Sequence, residues 1–79
     1  MPGLTQVRVM LAVKKISEVH PTKTAPVKEI INTLKLNDQY VRNILAKLKK
    51  QGYLESPAYG CYVLTEKGEK LLSEVMKPA

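Results

Sequence analysis

The sequence contains a single cysteine, no tryptophan and no phenylalanine. Cys61 therefore has no partner for a disulfide within the chain, and one thiol cannot supply a structural zinc site. Stability has to come from the packing of aliphatic side chains, and we expect a reducing, cytoplasmic environment. Cys61 itself is either a half-buried small hydrophobic residue or a redox-sensing thiol.

Long apolar runs and acidic residues are also scarce. The apolar run at residues 9–13 is far shorter than the roughly 20 residues that span a bilayer, so we expect no membrane segment. Seven Asp and Glu residues oppose thirteen Lys and Arg residues, and the net charge is +6. This balance favours a polyanionic partner, either a nucleic acid or an acidic membrane surface, and charge alone does not choose between them.

Residue groups typical of catalysis are missing as well. The single histidine, His20, precedes a proline, and the sequence has no paired carboxylates, no nucleophile–base spacing and no glycine-rich phosphate loop. We expect His20 to be a solvated loop residue. The protein is predicted not to be an enzyme and to need no cofactor or metal ion.

The chain is predicted to form one domain over residues 1–79, close to the smallest size at which a hydrophobic core suffices. Helix 1 is expected over residues 5–19, with Thr5 as its N-cap and Pro21 beyond its end. Its apolar positions exceed one amphipathic stripe: Val7, Val9, Met10, Leu11, Ala12, Val13, Ile16 and Val19. Helix 1 is therefore either the central helix of a small bundle or a homodimer interface.

Helix 2 is predicted over residues 26–34, where apolar residues recur at three- and four-residue spacing. Thr24 is its candidate cap, and Pro26 suits the first turn because the missing N–H is not needed there. A short turn follows. Leu36 in this turn can reach the core, and Asn37 can cap the next helix.

The third helix, over residues 38–51 with Gly52 as its C-terminal stop, carries the candidate binding residues. At about 100° per residue, the side opposite its apolar stripe, with both flanks, holds Gln39, Tyr40, Arg42, Asn43, Ala46, Lys47, Lys49 and Lys50. Amides suit adenine, arginine suits guanine, a small alanine can touch a thymine methyl, and lysines suit phosphates. A merely solvated helix face has the same composition, so this helix alone does not decide the function.

A β-hairpin, or wing, is predicted over residues 53–64. Two short alternating runs surround the turn-forming residues Pro57-Ala58-Tyr59-Gly60. Tyr59 can donate a hydrogen bond to a phosphate, as can Ser56, or Tyr59 can simply pack over Pro57. A last helix is predicted over residues 65–77, with Thr65 as its N-cap. Its apolar side consists of Leu71, Leu72, Val75 and Met76.

This order of elements resembles the DNA-binding domains of small bacterial and archaeal transcription regulators of the MarR, PadR and ArsR type. The residues that carry the resemblance are Gly52-Tyr53-Leu54 followed by Tyr62-Val63-Leu64-Thr65-Glu66-Lys67-Gly68. It implies an α+β, mostly helical winged helix-turn-helix fold: a three-helix core, a short β-hairpin wing and a C-terminal helix. It also implies that the third helix enters the major groove of DNA. Family wings commonly carry Arg or Lys at the tip, and this tip has neither.

Three functions are compatible with these features. The first is sequence-specific binding of double-stranded DNA as a small transcription regulator, with a homodimer formed through helix 1 and helix 4. The second is a winged helix that makes protein contacts inside a larger assembly, because a fold does not determine a function. The third is less specific, architectural binding of DNA or RNA.

Overall fold

The structure is a computed structural model that describes residues 3–77, so the first two and last two residues of the predicted domain lie outside it. The elements in chain order are α1 (Leu4–Val19), β1 (Ala25–Pro26), α2 (Val27–Leu34), α3 (Asp38–Lys50), β2 (Leu54–Ala58), β3 (Cys61–Leu64) and α4 (Glu66–Val75). The strands form one antiparallel sheet in the order β1-β3-β2. The predicted fold class, a mostly helical α+β winged helix-turn-helix, is confirmed.

The apolar surplus of α1 is largely absorbed within this chain. The helix contacts α2, α3, α4, β1 and β3. Its buried residues are Val9, Met10, Ala12 and Val13. It is therefore the central helix of a small bundle, as one of the two explanations of its pattern predicted; the homodimer interface stays a prediction. Among its large apolar side chains, Leu4 and Val19 at opposite ends remain mostly exposed.

Both ends of α1 differ in detail from the prediction. The N-cap is Gly3 rather than Thr5, and no side chain caps the helix. At the other end, His20 is not a freely solvated residue. Its Nε2 lies 3.2 Å from Oε2 of Glu29 on α2, and its Nδ1 accepts a hydrogen bond of 3.2 Å from the N–H of Thr22. The histidine thus joins the end of α1 to α2.

The turn between α2 and α3 has the predicted anchors. Lys35 ends α2 in the left-handed conformation, with φ of 56°. Leu36 packs half-buried against the core, and Oδ1 of Asn37 accepts a hydrogen bond of 3.1 Å from the N–H of Tyr40. The turn therefore leaves little freedom between the two helices, and α3 has a defined orientation on the core.

The strand β1 was not expected from the sequence. Ala25 and Pro26, predicted to open α2, instead pair with Tyr62 and Cys61 of β3. The N-cap of α2 is Pro26, and no side chain caps the helix, so the predicted cap at Thr24 is wrong. A two-residue strand at a sheet edge has no periodicity to detect, and proline is tolerated there because an edge position needs no second hydrogen-bond donor.

The wing is short and tied to the helical body. Strand β2 reaches Ala58, so the turn is narrower than predicted and is formed by Tyr59 and Gly60, the latter at φ of +75°. The carbonyl of Gly60 accepts a hydrogen bond of 2.8 Å from the N–H of Val27, the first residue of α2. This bond anchors the turn of the wing to the start of α2. The Ser56 hydroxyl lies 2.9 Å from the carbonyl oxygens of both Ala58 and Cys61, so it is engaged within the hairpin.

The end of α3 and the start of α4 meet in a close junction. Thr65 is the N-cap of α4, as predicted: its Oγ1 accepts a hydrogen bond of 3.1 Å from the N–H of Gly68 and donates one of 2.6 Å to the carbonyl of Gly52. The Tyr53 carbonyl accepts a bond of 3.1 Å from the N–H of Thr65. A Cβ on Gly68 would lie 2.2 Å from that same Tyr53 oxygen. Glycine is therefore required here by space.

The last helix buries only part of its apolar side. Leu72 is buried and Leu71 packs against the core, whereas Val75 and Met76 are exposed. The helix ends at Val75, two residues earlier than predicted. Within residues 3–77, no helix is both long enough and apolar enough to cross a membrane.

We predict that Gly68→Ala lowers the free energy of unfolding by about 3 kcal/mol, because the new methyl group forces the Tyr53 carbonyl and α4 apart. Urea unfolding followed by circular dichroism measures this change. Gly3→Ala is the matched control, since a Cβ at Gly3 meets no atom within 4 Å. Equal stability of the two variants would show that the junction can relax at no cost.

Candidate nucleic-acid interface

The outer face of α3 consists of exposed side chains. Every candidate residue predicted on this helix is solvent-exposed: Gln39, Tyr40, Arg42, Asn43, Ala46, Lys47, Lys49 and Lys50. The opposite face holds Val41, Ile44, Leu45 and Leu48, all buried. The division follows from the spacing of the apolar residues, which places them on one side of the helix. The buried side fixes the rotation of α3 about its axis and so decides which residues point outward.

Two pairs of side chains on this face interact across one helical turn. Nε2 of Gln39 donates a hydrogen bond of 3.0 Å to Oδ1 of Asn43. In the adjacent pair, Nε of Arg42 donates to Oδ1 of Asp38 in an ion pair. Both pairs have the i,i+4 spacing at which helical neighbours face each other. The polar residues of the face are therefore partly ordered before any partner arrives.

One flank of α3 faces the first turn of α1 across a shallow groove of about 440 Å³. Tyr40, Asn43 and Lys47 line the groove on the α3 side, and Leu4 and Gln6 are among the residues that line it on the α1 side. The groove is mostly apolar at its base, because Ile44 lies beneath it. The start of α1 thus extends the exposed surface around the third helix.

The other flank faces the wing across a cleft of about 600 Å³. Three cationic side chains line it, Lys28 from the first turn of α2 and Arg42 and Lys49 from α3, together with Tyr59 of the wing. No carboxylate is among the lining residues. A cleft lined by one sign of charge concentrates its electrostatic field, so this surface attracts anions.

Tyr59 stands at the tip of the wing with its side chain fully exposed. It does not pack over Pro57, which was one of its two predicted roles, because a packed ring would lose solvent contact. Gly60, the next residue, adopts the left-handed conformation that the turn requires. The wing therefore presents an aromatic ring with a hydroxyl group at its end, and no charge.

Two residues that are not among the predicted site residues also belong to this surface. Lys28, in the first turn of α2, joins Arg42 and Lys49 because the turn of the wing is tied to the start of α2. Asp38, in the first turn of α3, pairs with Arg42. The i,i+4 spacing could have indicated the second contact, whereas the first depends on tertiary structure.

A metal centre has no obvious ligands in the part of the chain that the structure describes. No group of three His, Cys, Asp or Glu side chains there is placed to hold a metal ion. Cys61 is half-buried and unbonded to any other cysteine.

The fold is similar to that of a solved structure, IdeR from T. acidophilum, with a TM-score of 0.73 and 18% sequence identity. The match covers 92% of this chain and 33% of the IdeR chain, so this chain spans about one third of that protein. At this identity the likeness shows the winged-helix fold alone, and it does not single out the MarR, PadR or ArsR type. No family model matches the sequence. A search of curated proteins found no match either.

Proposed function

We propose that this protein binds double-stranded DNA in a sequence-specific manner, as a small transcription regulator, with α3 in the major groove. The observation that carries the proposal is the exposed outer face of α3, where amide and cationic side chains lie between the first turn of α1 and the wing. The major groove of B-DNA, about 12 Å wide, admits one α-helix. The winged-helix fold, which is similar to that of IdeR, supports the proposal because it leaves the outer face of α3 exposed.

The N-terminal part of the α3 face is suited to reading bases. Gln39 and Asn43 supply amide donors and acceptors of the kind that recognise adenine, and Arg42 supplies the donor fork that recognises guanine. Ala46 lies on the same exposed face, where a methyl group can contact the methyl of thymine. These residues are the proposed base readers.

The end of α3 and the start of α2 are suited to the DNA backbone. Lys47, Lys49 and Lys50 extend from the last turns of α3, and Lys28 adds a fourth ammonium group beside the wing. Lysine binds phosphate as a point charge without sequence preference. The hydroxyls of Tyr40 and Tyr59 are further donors to phosphate.

A second function, contact with another protein, is favoured by one specific observation. The tip of the wing carries the fully exposed Tyr59 and no cation, and exposed tyrosines are enriched where protein interfaces have their strongest contacts. Architectural binding without sequence preference is a third function compatible with the net charge of +6.

We propose a MarR-, PadR- or ArsR-like regulator that acts in the cytoplasm and has no enzymatic activity. A homodimer through α1 and α4 remains part of it. The exposed large apolar side chains on these two elements are Leu4 and Val19 at the ends of α1, and Val75 and Met76 at the end of α4.

The first prediction concerns binding itself. Selection from a random double-stranded DNA pool near physiological salt should enrich one motif, and a homodimer should enrich an inverted repeat with half-sites about one helical turn apart. Binding without enrichment would instead indicate the architectural function. No binding at all would favour the protein-contact function.

The second prediction separates readers from phosphate contacts. Asn43→Ala should weaken binding to the selected site by about 1–3 kcal/mol and relax the preference at one base position. Lys47→Ala or Lys28→Ala should weaken binding to all sequences alike and reduce the salt slope by about one. Fluorescence anisotropy at several salt concentrations measures both quantities. Lys70→Ala on α4 is the matched control for the loss of one exposed lysine. Equal effects from all these variants would contradict the division into base readers and phosphate contacts.

The third prediction concerns the oligomeric state. Light scattering at micromolar concentration should give the mass of a dimer, and Met76→Glu should shift it to a monomer because a carboxylate in an apolar interface is costly to desolvate. Ser73→Glu, an equally charged change at another exposed position of α4, should leave the dimer intact. A monomeric mass for the unmodified protein would exclude the homodimer.

A further inference from the structure

Asp38 is the one acidic residue of α3, and it shares the exposed end of that helix with the proposed base readers. Four cations lie on the same helix, and Asp38 pairs with one of them, Arg42. A carboxylate beside a DNA backbone repels phosphate. By its charge alone, Asp38 therefore lowers the affinity of the protein for DNA of any sequence, and a second effect is needed to offset this loss.

The geometry of the pair indicates that effect. Asp38 accepts its hydrogen bond from Nε of Arg42. The guanidinium has five N–H donors, four of them on the two Nη nitrogens, and no other group within residues 3–77 accepts a hydrogen bond from Arg42. The contact therefore holds the base of the guanidinium and leaves its terminal fork free. That fork is the part that binds O6 and N7 of guanine in a bidentate manner.

We propose that Asp38 is a specificity-determining, positioning residue that acts through Arg42 and selects guanine at one position of the bound DNA. This proposal rests on the proposed DNA-binding function. Asp38 fixes the guanidinium before binding, so less side-chain freedom is lost when Arg42 meets the right base. The charge of Asp38 weakens binding to DNA of any sequence, and the positioned fork of Arg42 offsets that loss only where a guanine is present.

The positioning effect and the charge effect are each expected to be modest. The side chains of Arg42 and Asp38 are 47% and 62% exposed, and an exposed ion pair shifts an equilibrium by less than about fivefold. One unit of charge near the backbone changes non-specific affinity by roughly twofold to threefold at moderate salt. The charge effect is the same on matched and unmatched DNA, so it cancels in the ratio of specific to non-specific affinity. That ratio therefore changes through the positioning effect alone, by up to about fivefold.

Other roles of Asp38 make different predictions. If Asp38 only stabilised α3 through its favourable place in the first turn, its loss would weaken binding to all DNA equally. If it acted only as a charge, its loss would strengthen binding to all DNA equally. A change in the ratio separates positioning from both.

The test compares Asp38→Asn with the unmodified protein on three duplexes. These are the selected site, a scrambled site, and the selected site with 7-deazaguanine, which lacks N7, at the guanine contacted by Arg42. We expect Asp38→Asn to bind scrambled DNA about twofold to threefold more tightly and the selected site no more tightly. The penalty for 7-deazaguanine should shrink by about fivefold. Glu74→Gln on α4, which removes the same charge elsewhere, should leave that penalty unchanged.

A double-mutant comparison guards against loss of folding. Arg42→Lys keeps the charge but not the fork, so adding Asp38→Asn to Arg42→Lys should leave the penalty for 7-deazaguanine as it is in Arg42→Lys alone. Thermal unfolding by circular dichroism confirms that each variant is folded. If the unmodified protein discriminates between sequences and Asp38→Asn retains the full penalty, the positioning role is overturned and the DNA-binding function stands. If the unmodified protein shows no sequence preference, both fail together.

Discussion

The close approach of the Tyr53 carbonyl to Gly68 organises the second half of this protein. A Cβ at residue 68 would lie 2.2 Å from this oxygen, which also accepts a hydrogen bond from the N–H of Thr65. Thr65 in turn donates to the carbonyl of Gly52, whose φ of +88° reverses the chain after α3. These bonds satisfy backbone groups that both helix ends would otherwise leave unpaired. As a result, the end of α3, the base of the wing and the start of α4 form one rigid corner.

Lys67 reinforces this corner from outside. Its Nζ donates a hydrogen bond of 2.9 Å to the carbonyl of Gln51, at the end of α3, and lies 4.9 Å from the centre of the Tyr53 ring. A cation at a helix C-terminus is favourable because the unpaired carbonyls there carry partial negative charge. The charge of Lys67 thus stabilises the fold, whereas Lys49 and Lys50 are exposed on the outer face of α3. The rigid corner holds one end of the wing, and the hydrogen bond from Val27 to Gly60 holds the other end. These two attachments keep the short hairpin beside α2 and α3, so that a cleft lies between them.

Several features could be predicted from residue types and spacing, and the reasons are local. A helix buries the apolar residues that recur every three or four positions, so α2, α3 and their buried faces follow from the sequence. Asn37 and Thr65 act as caps because their side chains reach the N–H groups of the following turn. The exposure of the candidate residues on α3 follows from the same periodicity, since whatever lies opposite the apolar stripe faces solvent. The cap at Thr5 was wrong because several nearby residues could start α1 and no strong local signal chooses among them.

Tertiary structure alone decided the rest. The pairing of Ala25 and Pro26 with β3 joins parts of the chain more than thirty residues apart, and two residues carry no periodic signal for it. The same long-range contact brings Lys28 to the cleft beside Arg42 and Lys49, whereas spacing on a helix can only describe neighbours on that helix. The role of α1 was decided in the same way: its pattern predicted burial on more than one side, and packing against two helical neighbours, a fourth helix and the sheet showed what covers it. Local chemistry thus determined the elements and their faces, and the spatial arrangement of distant segments determined the surface they form together.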